Sequence, residues 1–252
     1  MHIETAVFLA IAGFAGGLVD SVVGGGGVIT LPALLLAGVP VQLSLGTNKV
    51  AGTCGSLTAT TVFARAGRVD RSLLRFVVLP VVLAAGVGAF TASRLQTGVL
   101  RVLVIVAVLA AAAWAALRPV SEEAPRDRPR ASMRVLAGVL LVAIGFYDGI
   151  LGPGTGLFFF AVLVALDHLV FVEAAGTGRA LNLASNVGAL AVFAALGRVD
   201  FVMGLVMGAG VVLGARTGAG LTIRRGAGFV RPMLLLAAVL IVARLLLQFS
   251  GR

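Results

Sequence analysis

The chain has 252 residues, 60% of them hydrophobic and 12% charged, with a formal net charge of +10 and a mean hydropathy of +1.10. Soluble domains carry about 25% charged residues, so the composition excludes a soluble globular fold and describes a polytopic membrane protein. Arginines in loops and at helix ends then explain the basic balance, and nucleic acid is excluded as a partner. One cysteine, Cys54, and two histidines, His2 and His168, exclude an intrachain disulfide, a cysteine metal cluster and a multi-histidine site, and no cofactor is called for.

In chain order, the first apolar segment, 3–23, runs into four glycines, Gly24, Gly25, Gly26 and Gly27. The following piece, 28–38, is too short to cross a bilayer alone, since a helical span needs about 20 residues. It reads as half of a broken or re-entrant pair, or as a short tilted span. Segment 43–63 is long enough to cross but polar at its start, with Thr47, Asn48 and Lys49. Segments 72–92 and 99–117 are ordinary spans. Residues 118–134 are dense in proline and charge and read as an extramembrane linker. Beyond it, 135–151, 156–172, 174–196, 201–223 and 229–249 repeat the rhythm.

The text itself repeats. VFARAGRVD ends at Asp70 and VFAALGRVD at Asp200, and GRVDR at 67–71 reads as a turn with a solvated charge pair. Counting back without a gap pairs Thr47 with Thr177, Lys49 with Arg179 and Ser56 with Asn186. With a two-residue gap, Asp20 pairs with Asp148, and the glycine run with Gly152, Pro153, Gly154, Thr155 and Gly156. The chain thus divides into a first transmembrane repeat (1–117), the linker and a second repeat (135–252). Duplicated halves with glycine- or proline-broken segments at matched places point to a secondary transporter. Counting each broken stretch as two segments gives five per half and inverted repeats, with linker and arginine-rich loops together on the cytoplasmic side. Counting it once gives four per half and parallel repeats.

Unwound backbone at membrane depth must find partners inside the protein or in a wet cavity, and oriented amides favour anions. Gly24 to Gly27, Gly152, Gly154 and Thr155 are therefore candidate substrate contacts, close packing through small residues being the alternative. Lys49, the only lysine beside nineteen arginines, and Arg179 read as a cation pair for an anion, or as side chains snorkelling to an interface. Thr47, Asn48, Thr177, Asn182 and Asn186 share those segments, with interhelical hydrogen bonding as the competing role. Asp20 and Asp148 are candidate proton carriers; each could instead form a structural ion pair or cap a broken helix, and Asp20 is the first partner expected for Lys49. An intramembrane enzyme lacks a nucleophile–base spacing, a Ser–Lys pair of Lys49 with Ser21, Ser44 or Ser56 being the one escape. A channel is a closer rival.

These residues carry a resemblance. GGLVDSVVGGGGVITLPALLLAGVPVQLSLGTNKVAGTCGS, GFYDGILGPGTGLFFF and TGRALNLASNVGALAVFAALGRVD resemble the sulfite exporter TauE/SafE family over nearly all of the chain but the linker. The resemblance implies a multi-pass carrier of the bacterial cytoplasmic membrane for small anions, often sulfite or sulfonates, and often proton-driven. Asp148, where the family commonly has a small residue, and Arg179, often lysine or small and polar, depart from its pattern. The expectation is an all-α integral membrane protein of two repeats, not an enzyme. A small anion and the lipid bilayer are its expected partners, and a homodimer is left open.

Overall fold

A computed structural model of the chain describes residues 1–117 and 131–226. Among the described residues the regular elements are all helical: α1 (Ile3–Val23), α2 (Gly27–Leu36), α3 (Val41–Arg65), α4 (Arg71–Arg94), α5 (Thr97–Leu117), α6 (Ala131–Ile150), α7 (Thr155–Ala165), α8 (Phe171–Ala195) and α9 (Phe201–Arg225). The predicted segment 229–249 and linker residues 118–130 lie outside the described residues. Residues 131–134, assigned to the linker from sequence, form the first turn of α6.

The predicted span 156–172 is corrected. Helix α7 stops after 11 residues at Ala165, and the chain turns through Leu166–Val170, where His168 takes a positive φ of 57°. The apolar text runs past the helix end because hydropathy does not report backbone conformation. At 1.5 Å per residue, α2 and α7 reach only about 15 Å, half of a hydrocarbon core of about 30 Å. Both are half-helices.

Among the described residues, four helices are long and apolar enough to cross a membrane: α1, α4, α6 and α9. Helices α3 and α8 are as long, 25 residues each, but too polar to face lipid, and they occupy the centre with most of their side chains buried. They run antiparallel, so Gly46 lies against Phe193 and Arg198, Gly52 against Asn186, and Gly176 against Phe63 and Arg68.

Around this centre the N- and C-terminal parts of the chain interlock. Helix α9 runs parallel to α1 and to α3, and α4 runs parallel to α6 and to α8. Glycines make the close approaches: Gly13 and Gly17 of α1 meet Met207 and Val211, while Gly210, Gly214 and Gly218 of α9 meet Ala10, Phe14 and Leu18. Without a hydrophobic drive between helices in lipid, backbone-to-backbone packing of this kind supplies the dispersion contact that holds them.

Loops at opposite ends of the bundle fasten the arrangement. The Asp70 amide donates to Thr177 Oγ1 and the Asp200 amide to Thr47 Oγ1, each at 2.9 Å. Asp70, read from sequence as a solvated charge, and Asp200 accept from the first-turn amides of α4 and α9 as N-caps. Arg65, Arg68, Arg71, Arg75, Arg134, Arg224 and Arg225 gather at one end, where α3 and α9 finish and α4 and α6 begin. Arg94, Arg101 and Arg198 stand at the other.

Candidate functional site

Each broken helix is built around its aspartate. Gly24 ends α1 at φ 89°, a left-handed conformation open to glycine at no steric cost, and its N–H donates to the Asp20 carbonyl at 2.7 Å. One turn later Asp20 Oδ1 accepts from the Gly26 amide at 3.0 Å, fixing the entry into α2. At the second break, Gly152 has φ 92°, and Asp148 Oδ1 accepts from Thr155 Oγ1 at 2.7 Å at the start of α7. Tyr147 steadies that turn by donating its hydroxyl to the Pro153 carbonyl at 2.6 Å.

The second oxygen of each aspartate reaches across the molecule. Arg179 Nη1 on α8 donates to Asp20 Oδ2 on α1 at 2.8 Å. Lys49 Nζ on α3 lies 2.9 Å from Asp148 Oδ2 on α6 and donates to the Asp148 carbonyl at 2.6 Å. Lys49 and Arg179 are each only 2% exposed. Snorkelling to an interface is therefore overturned for both. The expectation that Asp20 partners Lys49 is corrected as well: each cation takes the aspartate of the other half. The interlocking of the helices, which sequence proximity does not reveal, is the reason.

Between these pairs lies a cavity of about 30 Å³, lined by Asp20, Gly24, Gly26 and Gly27 on one side and Asp148 and Gly152 on the other. Asn48, Lys49, Asn182 and Asn186 line it from the crossing of α3 and α8. So ten of the sequence-predicted residues meet around one space. Arg179 stands just behind, its guanidinium against Gly24 and Gly156. Thr155 reaches the site through Asp148. The Gly25 carbonyl accepts from the Val28 amide, and Gly154 packs on Ala111 of α5; neither lines the cavity. Thr47 and Thr177 hold the loop clasps instead. Sequence reasoning missed Gly16, Gly17, Thr30, Gly52 and Val211. A small-xxx-small pattern through Gly13 and Gly17 was the available signal for part of that wall.

The chemistry of this lining is polar and closely balanced. Lys49 and two carboxylates line it with Arg179 just behind, three amide side chains add donors and acceptors, and buried Asn48 Oδ1 has no partner. The serines that could have served a Ser–Lys pair are engaged elsewhere: Ser21, Ser44 and Ser56 each donate to a backbone carbonyl. Such a lining can hold a small polar ion away from lipid, and it presents no activated hydroxyl to one.

Residues 9–245 match the family described as sulfite exporter TauE/SafE. The chain is 38% identical over 239 residues to the probable membrane transporter protein ORF9 of Sinorhizobium sp., covering 95% of this chain and 91% of that one. It is 31% identical over 244 residues to a probable membrane transporter protein of Haemophilus influenzae, with 96% and 95% covered. Against the probable membrane transporter protein YfcA of Escherichia coli K12, identity is 33% over 238 residues, with 94% and 87% covered. No solved structure matches. A family match over almost the full length, on a bundle of apolar helices enclosing a buried polar cavity, makes this chain a multi-pass membrane transporter of the sulfite exporter TauE/SafE family.

Proposed function

We propose that the protein is a secondary carrier for a small oxyanion, sulfite or an organosulfonate, coupled to protons. The observation that carries this reading is a pair of crossed ion pairs at one narrow cavity between two broken helices, Lys49, Asp148 and Asp20 lining it and Arg179 standing behind. Two cations attract an anion, while two carboxylates already neutralise them. An added negative charge therefore requires that a carboxylate gives way or gains a proton, because uncompensated charge in a low-dielectric interior is costly. That requirement links anion entry to proton movement.

Size favours a carrier over a channel. A cavity of about 30 Å³ has room for roughly two water molecules, and a sulfite or sulfonate is bulkier. The anion enters only when helices move, which is the behaviour of alternating access. The antiparallel crossing of α3 and α8 supports inverted repeats, and the arginine-rich end is read as cytoplasmic.

Purified protein in liposomes tests this with labelled sulfite, thiosulfate, methanesulfonate and acetate. The expected result is saturable uptake of a sulfur oxyanion, stimulated by unlabelled anion on the opposite side. Currents linear in driving force without such stimulation would favour the channel.

A further inference from the structure

The two crossed ion pairs match in sequence but not in how completely they are satisfied. Asp20 has both oxygens engaged, Oδ1 by the Gly26 amide and Oδ2 by an aligned Arg179 N–H. The Arg179 guanidinium lies against Gly24 and Gly156 and does not line the cavity. Lys49 does line it. Its ammonium directs a hydrogen bond to the Asp148 main-chain carbonyl, while Asp148 Oδ2, 2.9 Å away, receives no aligned N–H.

A planar guanidinium held by an aligned hydrogen bond has a fixed geometry, whereas an ammonium on a four-carbon stem swings between acceptors. The geometry points to a division of labour within the anion-carrier reading, on which this inference rests: Arg179–Asp20 is a permanent staple, and Lys49–Asp148 is the pair that a monoanionic oxyanion opens. The anion takes the place of the Asp148 carboxylate at the Lys49 ammonium, with the Asn48 amide beside it. Asp148 then binds one proton from the side of entry, becoming a neutral carboxyl that still meets Thr155. Lys49 keeps its proton, so one negative and one positive charge enter together.

The surroundings of Asp148 fit this exchange. Helix α3 offers Lys49 and helix α7 offers Thr155; Asp20 lies across the cavity on α1, and Arg179 of α8 stands behind Gly156. Tyr147, its neighbour on α6, is tied to Pro153. Helix α4 presents Ala85, Gly88 and Ala89 to the adjoining turn of α6, adding no charge. Among the described residues, no second cation therefore replaces Lys49 once it turns to the anion.

The test is equilibrium binding of methanesulfonate, which stays ionised at every pH used, and of sulfite, to the purified full chain. Proton uptake is recorded in weak buffer. Wild type should take up one proton per methanesulfonate bound, its affinity rising up to about tenfold per unit fall in pH, as linkage to one proton requires. Asp148→Asn removes the competitor for Lys49, so it should bind the anion about tenfold more tightly at neutral pH or better, with the pH dependence gone. Asp20→Asn should instead lower thermal stability and leave the pH dependence in place. Anion binding without proton uptake by wild type overturns the inference even where Asp148→Asn fails to fold, and leaves the carrier reading standing. Weaker binding by folded Asp148→Asn, or equal effects of the two variants, also overturns it. Wild type that neither binds nor exchanges any sulfur oxyanion defeats the carrier reading itself.

Discussion

Gly24 and Gly156 meet backbone to backbone beneath the guanidinium of Arg179. The first belongs to the turn between α1 and α2, the second to the first turn of α7, and a side chain on either would enter the other residue and the arginine. Gly24 also holds a left-handed φ of 89°. Gly24→Ala therefore combines backbone strain with overpacking and should cost about 3 kcal/mol. A lowered melting temperature in detergent, with weakened anion exchange in whatever remains folded, is the expected measurement. An unshifted melting curve would mean that the two turns do not touch.

Lys49→Ala leaves Asp148 buried without its cation and should destabilise the protein by about 3–5 kcal/mol while removing anion binding. The double variant Lys49→Ala/Asp148→Ala strands no charge and should recover most of that stability without recovering transport. Thermal unfolding and counterflow, measured on the same preparations, separate the two effects. Recovery by Lys49→Ala/Asp20→Ala instead would contradict the crossed pairing.

Thr177 and Asn48 should fail in opposite ways. Thr177→Val removes the acceptor of the Asp70 amide and should cost about 1–3 kcal/mol of stability, with anion affinity unchanged in the folded fraction. Asn48→Ala, on the cavity wall, should leave stability nearly intact and weaken anion binding roughly tenfold or more, the worth of one hydrogen bond to a charged group. Binding isotherms beside melting curves decide both.

Ala66 and Leu196 occupy matched, exposed positions at the ends of α3 and α8, which run antiparallel. In a background lacking Cys54, Ala66→Cys should react with an impermeant maleimide from the cytoplasmic side and Leu196→Cys from the other. Labelling of both from one side would reject inverted repeats.

Much of this was legible in the text of the chain, and for identifiable reasons. Helix α1 coincides with the apolar segment 3–23, because the glycines that end the hydropathy also end the helix. Matching Asp20 with Asp148, and the glycine run with Gly152, named residues that lie around one cavity. Partner choice was not legible: Asp148 meets Lys49 across 99 positions of sequence, and nothing local encodes that crossing. Thr47 and Thr177 resembled ligand groups because a threonine beside a buried cation looks the same whether it faces a cavity or a loop amide. The short reach of α7 was hidden for the converse reason, since residues 166–172 stay largely apolar after the helix has ended.

The interlocking of α1 with α9 has a consequence for how the protein is made. Helix α1 is complete at Val23, yet the helix that covers its glycine face begins only at Phe201. During translation that face, with Asp20 at its end, waits in the membrane while most of the chain is still unsynthesised. Arg179 emerges just before α9, so the staple for Asp20 and the cover for its helix arrive nearly together. An N-terminal fragment ending before Arg179 keeps Asp20 without its cation and should be a substrate for membrane quality-control proteases. The same fragment should survive when the rest of the chain is supplied as a second polypeptide.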